Sequence, residues 1–132
     1  MMAISVAPTR FTHELIFNSG GFVLAWPGRE LAEATLFCGT RSGRDTDKFA
    51  QTGLTALPAR HVNAPLVKEC VANLECRLDG QLTSGDHTIF TGEIVGAWIS
   101  ERPGPLLCTI DESAGYDFLL EKGAYRFGVV RD

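Results

Sequence analysis

Residues 72–100 of the chain read ANLECRLDGQLTSGDHTIFTGEIVGAWIS. Apolar and polar side chains alternate over residues 72–79, which is the pattern of a half-buried β-strand. Residues 87–100 form a second extended run, and the turn-prone residues 84–86 separate the two runs. Two glycines inside the second run indicate bulges or bends in a curved sheet, and they are Gly92 and Gly96. The stretch therefore predicts a β-hairpin.

Further short strands are expected on both sides of this hairpin, because apolar and β-branched runs are bounded there by Gly and Pro. The expected strands cover residues 2–6, 22–26, 107–110 and 126–130. No long helix is indicated after residue 100. Together these elements predict a mainly β domain with short helices between the strands, most simply a small barrel.

Three short helices are expected, over residues 13–16, 30–37 and 48–51. Thr12 is of the residue type that caps a helix start, and Gly39 is placed to end the second helix in a left-handed conformation. Asp45 and Asp47 put negative charge before the third helix, where the helix dipole favours it, and Gly53 ends that helix.

The composition fits one globular domain, residues 1–132, because 132 residues with 45% hydrophobic side chains can build a sizeable core. The net charge is −4 and the pI is about 5.3. No basic stripe is present to neutralise a phosphate backbone, so we expect no nucleic-acid partner.

Membrane and metal signals are also missing from the sequence. No apolar run approaches the roughly 20 residues that cross a bilayer, and residues 1–6 lack the basic flank and cleavage site of a signal peptide. We expect a cytoplasmic protein without membrane contact. The four cysteines, Cys38, Cys70, Cys76 and Cys108, form no C-x-x-C pair, so we expect no metal site and interpret them as buried or free thiols. We assign no redox function to Cys38.

One block is more specific than the composition. Residues 38–50 read CGTRSGRDTDKFA, and GLT follows at residues 53–55. Other pieces accompany it in order along the chain: APTRFTHELI at 7–16, LEC at 74–76, GDHTIFTGE at 85–93 and GAYRFG at 123–128. Taken together, these motifs resemble those of flavoredoxin-like flavin reductases. The resemblance spans nearly the whole chain and implies an FMN-binding split β-barrel of the flavin reductase-like type.

The chain departs from this pattern at its beginning. Proteins of the family carry another pair of strands before the R-x-T segment, with an N-x-M-T-x-S-W-like stretch that lines the flavin ring. Met1 and Met2 stand where family members have interior strand residues. We therefore expect a domain that is shortened at its N-terminus, either as a naturally shortened member or, as we favour, as a fragment of a longer domain. In both cases the loss of these strands puts binding of the flavin ring in question.

The resemblance implies residues that hold the FMN phosphate and the neighbouring part of the flavin nucleotide. Arginine gives a guanidinium fork, and a threonine at a helix start gives a hydroxyl beside free backbone amides, both of which suit a phosphate. The implied cofactor-binding residues are Arg10, Thr12, Ser42, Gly43, Arg44 and Lys48. From the residues alone, Thr12 is better explained as a helix cap and Arg10 as a solvated surface charge. Arg44 and Lys48 can then simply pair with Asp45 and Asp47 on the surface.

Two further residues receive catalytic roles by resemblance. His87 is implied to face the flavin and the nicotinamide of NAD(P)H, and Tyr125 is implied to lie near the nicotinamide. Taken alone, His87 is a polar turn residue whose tautomer Asp86 fixes, and Tyr125 is a core residue. The strand tryptophans Trp26 and Trp98 are expected in the core or in a dimer interface.

The resulting hypothesis is an FMN-binding oxidoreductase that passes electrons between NAD(P)H or a protein donor and FMN, as a homodimer. The alternative is a non-catalytic flavin- or nucleotide-binding split-barrel module. A relative of pyridoxamine-phosphate oxidases is a third possibility, although it would lack the Gly-Asp-His hairpin. The sequence leaves open whether NADH or NADPH is used, which electron acceptor is served and how tightly flavin is held.

Overall fold

A computed structural model of the chain describes residues 1–111 and 115–131, and its longest elements are two strands of 13 residues that form one hairpin. The elements are β1 (Met2–Val6), α1 (Phe11–Ser19), β2 (Gly21–Trp26), α2 (Ala32–Thr40), α3 (Lys48–Thr52), β3 (Ala56–Leu57), β4 (Leu66–Val67), β5 (Ala72–Ser84), β6 (His87–Ile99), β7 (Leu107–Thr109), β8 (Tyr116–Lys122) and β9 (Tyr125–Val130).

The predicted hairpin is confirmed as β5 and β6, the two middle strands of an antiparallel sheet with the order β1-β6-β5-β2. Its inner face meets α1 in a core of four buried side chains: Ile16, Phe22, Cys76 and Phe90. The predicted bulges are also confirmed. The register shifts once between Glu75 and Cys76, opposite Gly96, and once between Leu78 and Gly80, opposite Gly92.

Two smaller sheets complete the described strands. The first pairs β3 with β4, and the second has the order β7-β9-β8. An isolated bridge between Gly28 and Leu106 joins the end of β2 to the segment before β7. Over residues 1–111 and 115–131 the strands therefore form three sheets and not one closed barrel. The sequence pattern did not predict β3, β4 or β8.

The polar face of β5 is covered in its first part and exposed only from Arg77 onward, which partly corrects the expectation from its alternating pattern. Asn73 is 5% exposed and Glu75 is fully buried, because the segment from β3 to β4 covers them. The Asn73 side chain accepts a hydrogen bond from the Val67 amide and donates one to the Val67 carbonyl. Buried polar groups need such partners, and these hydrogen bonds allow the polar side chains at the start of β5 to lie under the covering segment.

The helix boundaries differ from the expected ones in two places. Helix α1 begins at Phe11 with Arg10 as its N-cap, so Thr12 lies in the first turn and does not cap the helix. Helix α2 follows a 3₁₀ turn and ends at Thr40, with Arg41 as a C-cap residue in extended conformation, so Gly39 stays inside the helix without a left-handed conformation.

The ends of α3 are confirmed as predicted. The Asp47 side chain accepts a hydrogen bond from the Ala50 amide at 3.1 Å, and Gly53 closes the helix with φ +73°. In the part of the chain that the structure describes, no helix is long and apolar enough to cross a bilayer. All four cysteines are free thiols.

Candidate functional site

The N-terminus of α1 lies at one end of the central sheet. Strand β1 ends at Val6, beside Thr88, and a turn closed by the Arg10 amide and the Ala7 carbonyl leads into the helix. Within the described residues no side chain caps α1, and both Arg10 and Thr12 are exposed. The His13 amide donates to the Arg10 carbonyl, while the first amides of a helix ahead of such a bond have no partner inside it, so this end offers backbone donors to an anion.

The loop of residues 42–44 packs against this first turn. The Phe11 ring lies so close to Gly43 that a Cβ there would be 3.2 Å from it. The Arg44 guanidinium stacks 4.7 Å over the Phe11 ring and donates to Glu14 Oε2 at 2.7 and 3.1 Å. Ser42 Oγ accepts a hydrogen bond from the Arg44 amide. The structure thus brings five of the implied cofactor-binding residues into one neighbourhood: Arg10, Thr12, Ser42, Gly43 and Arg44.

Lys48 stands slightly apart from these residues. It is the first residue of α3, and its Nζ donates a hydrogen bond of 2.6 Å to the Cys38 carbonyl near the end of α2. The ammonium therefore ties two helices together. It has three donor hydrogens, so this bond leaves capacity for a ligand.

His87 begins β6 at the same end of the sheet, because Thr88 pairs with Val6 of β1. Its Nδ1 lies 2.8 Å from Asp86 Oδ1. This hydrogen bond is the main cause that lowers the pKa of the exposed Asp86 carboxyl. The ionised carboxylate orients the imidazole, and the other ring nitrogen stays available to a ligand.

His13 was given no partner by the sequence, and the structure supplies one. Its Nε2 forms a hydrogen bond of 2.9 Å with Thr88 Oγ1, next to His87. A histidine in the first turn of a short helix carries no sequence signal for this contact, since the two residues are 75 positions apart. His13 therefore joins the group only through the tertiary structure.

Tyr125 lies elsewhere. It starts β9, stacks on Phe127 with ring centroids 6.4 Å apart, and lines a cavity of about 660 Å³ between α2, α3 and the β8–β9 turn. Charged side chains at this cavity include Arg41 and Lys122. The described residues that line this cavity include Tyr125 but not His87, so the two residues with predicted catalytic roles lie in separate surroundings.

A second group that the sequence missed surrounds the buried Glu75. Its Oε1 accepts hydrogen bonds from the amides of Arg60 and His61, while Oε2 has no hydrogen-bond partner in the described residues and lies 4.0 Å from His61 Nε2. The space for this carboxylate exists because residue 96 is a glycine, whose missing Cβ would collide with Oε2. We interpret Glu75 as the anchor of the loop that covers β5.

Comparison with known proteins supports this architecture. The flavin reductase like domain matches residues 1–114. An uncharacterized protein of Archaeoglobus fulgidus is 40% identical over 95 residues, which cover 72% of this chain and 54% of that protein. The chain thus spans about half the length of this relative.

Solved structures show the same similarity. The flavoredoxin of Desulfovibrio vulgaris is 28% identical and superimposes with a TM-score of 0.77, covering 98% of this chain and 69% of that protein. The flavoredoxin of Methanosarcina acetivorans is 27% identical with a TM-score of 0.76, covering 98% of this chain and 68% of that protein. The predicted split-barrel fold class is confirmed by these matches, and the chain belongs to the flavin reductase-like family, with a fold close to that of the flavoredoxins.

Proposed function

We propose that the protein binds FMN and acts as an oxidoreductase of the flavin reductase or flavoredoxin type, exchanging electrons with NAD(P)H or a protein donor. The observation that carries the proposal is the convergence of the uncapped α1 terminus, the 42–44 loop and His87 at one end of the sheet. Similarity to flavoredoxins supports a flavin-related redox function.

The residues present fit the phosphate end of FMN. A phosphate dianion needs charge-assisted donors when water is removed from it. Arg10 is exposed at the N-cap of α1, next to the first turn of the helix, and Thr12 adds a hydroxyl. Arg44 is partly neutralised by Glu14, so we assign it a smaller share of the binding than Arg10.

FMN supplies the redox chemistry when it is bound. The residues of the chain bind and orient the reactants. We propose that His87, held by the Asp86 carboxylate, positions the nicotinamide or the donor against the cofactor. Tyr125 is proposed to contact the nicotinamide nucleotide from the cavity that it lines, whose volume is typical of small-molecule sites.

The first test is a titration of the purified protein with FMN, followed by quenching of flavin fluorescence. We expect saturable binding with a Kd on the order of micromolar, because a few charge-assisted bonds and partial burial of a ring give affinities of this size. A folded sample that shows no saturable binding would overturn the proposal.

The second test follows NAD(P)H oxidation by the FMN-loaded protein, with an artificial electron acceptor. We expect the wild type to oxidise NAD(P)H, and we expect a lower rate in His87→Ala. Tyr125→Phe is expected to change the rate independently of the His87 substitution. Saturable FMN binding without any turnover would contradict the reductase activity and favour the non-catalytic flavin-binding module.

A further inference from the structure

His13 connects helix α1 to the strand that begins with His87. Its Nε2 and Thr88 Oγ1 share a hydrogen bond of 2.9 Å, and Thr88 is buried. The same imidazole packs on Phe90, with ring centroids 5.0 Å apart and ring planes at 58°. His13 thus contacts β6 through a polar atom and through its ring face.

Apolar packing alone fixes α1 weakly. Ile16 is the buried residue of this helix, and it lies in the second half. The neighbouring Leu15 and Phe17 are 50% and 60% exposed. Besides the turn that joins it to β1, the first turn of α1 is held on the sheet by the hydrogen bond and ring contact of His13.

The position of the 42–44 loop depends in turn on α1. Phe11 supports Gly43 and Arg44, and Glu14 pairs with Arg44. A continuous set of contacts therefore runs from the 42–44 loop through α1 and His13 to Thr88, the neighbour of His87. A shift of the first turn would move the loop relative to His87.

We infer that His13 is a positioning residue of the proposed cofactor site: through Thr88 it fixes the first turn of α1, and the loop that rests on it, relative to His87. This inference rests on the proposed function, because it assigns His13 to the site where FMN binding is proposed. His13 itself touches neither the cofactor nor the reacting atoms in this assignment.

The test is a double-mutant cycle on the FMN Kd, measured by fluorescence quenching at a temperature where circular dichroism shows every variant folded. We expect His13→Ala and Thr88→Val each to raise the Kd about three- to tenfold. This is the fold-change that corresponds to the loss of one hydrogen bond and of the position that it fixes. The double variant should bind no more weakly than the weaker single variant, because both changes remove the same contact.

Two controls separate positioning from general stability. His13→Gln keeps a side chain that donates and accepts hydrogen bonds, so we expect it to restore much of the affinity lost in His13→Ala. Leu15→Ala changes an exposed residue of the same helix and should leave the Kd as in the wild type.

Three outcomes would overturn the inference. Unchanged Kd values in folded His13→Ala and Thr88→Val would reduce His13 to a packing residue, while the proposed function would stand. Fully additive effects of the two changes would show that they do not act through one contact. Absence of FMN binding in the wild type would overturn the proposed function and the inference together, so the wild type is measured first.

Discussion

Arg10 occupies the N-cap of α1 with an exposed guanidinium, and the helix that follows it has no side-chain cap in the described part of the chain. An N-cap is usually Ser, Thr, Asp or Asn, whose oxygen binds the first free amides. A long basic residue here leaves those amides open and adds a positive charge beside them. The arrangement favours an external anion over an internal cap.

Replacement of Arg10 by alanine is expected to weaken FMN binding about tenfold or more, because a charge-assisted hydrogen bond to the phosphate is lost. Fluorescence titration measures the Kd. Arg102→Ala, an exposed arginine in the loop after β6, serves as the matched control and should not change it. Equal Kd values for Arg10→Ala and the wild type would remove Arg10 from the site.

The surroundings of two glycines, one in a strand and one in a helix, predict opposite effects of a substitution by alanine on stability. Gly92 lies opposite a bulge in the hairpin, and a Cβ there would come within 2.8 Å of the Phe22 ring and 3.0 Å of the Cys76 Cβ. Gly39 lies inside α2, and a Cβ there would meet nothing within 4 Å. Packing thus requires glycine at one position and not at the other.

Gly92→Ala is expected to lower the free energy of unfolding by about 1–3 kcal/mol, because both neighbours belong to the close-packed core. Gly39→Ala is the matched comparison and should raise it by roughly 0.5–1 kcal/mol, since alanine is the better helix former. Urea unfolding measures both values. A neutral Gly92→Ala would mean that the core accommodates the extra methyl group.

The helix ends show which boundaries could be predicted from the sequence and which could not. The ends of α3 were predicted because Asp47 and Gly53 act within four residues of the backbone groups that they satisfy. Thr12 was expected to cap α1, yet the chain enters the helix two residues earlier, with Arg10 as the N-cap. The residues around the helix start are compatible with an N-cap at either position. The turn after β1, whose position follows from the pairing with β6, decides between them.

At the scale of the whole molecule, Asp117 joins separate parts of the described chain. Its carboxylate accepts hydrogen bonds from Arg29, ahead of α2, and from Arg131, after β9. These two bonds, in that order of importance, lower the pKa of the Asp117 carboxyl. A carboxyl whose pKa is lowered by folding stabilises the folded state above its unfolded pKa and loses this contribution as the pH falls through the folded value.

Asp117→Asn is therefore expected to reduce stability slightly near neutral pH, and the difference from the wild type should shrink as the pH falls below about 4. Unfolding midpoints measured across this range test the prediction. Asp79→Asn, an exposed aspartate on β5, is the control. A difference for Asp117→Asn that is constant with pH would contradict a role of its charge.

The exposure of two strand tryptophans bears on the expected homodimer. Trp26 and Trp98 were expected in the core or in an interface, and in the single chain they are 37% and 36% exposed. Arg60 stacks over Trp98 at 5.1 Å, which covers one face of that ring. Exposed strand aromatics are consistent with the proposed homodimer.

Local patterns were enough to predict the hairpin, the first strands, the ends of α3 and the family, because alternation, turn residues and ordered motifs act over short stretches of chain. Long-range contacts fixed the remaining features. They buried Glu75 and Asn73 under the β3–β4 segment, joined His13 to Thr88, packed the 42–44 loop on α1 and placed Tyr125 in a separate cavity. These contacts join residues distant in sequence, and no local pattern specifies which distant group satisfies a polar atom.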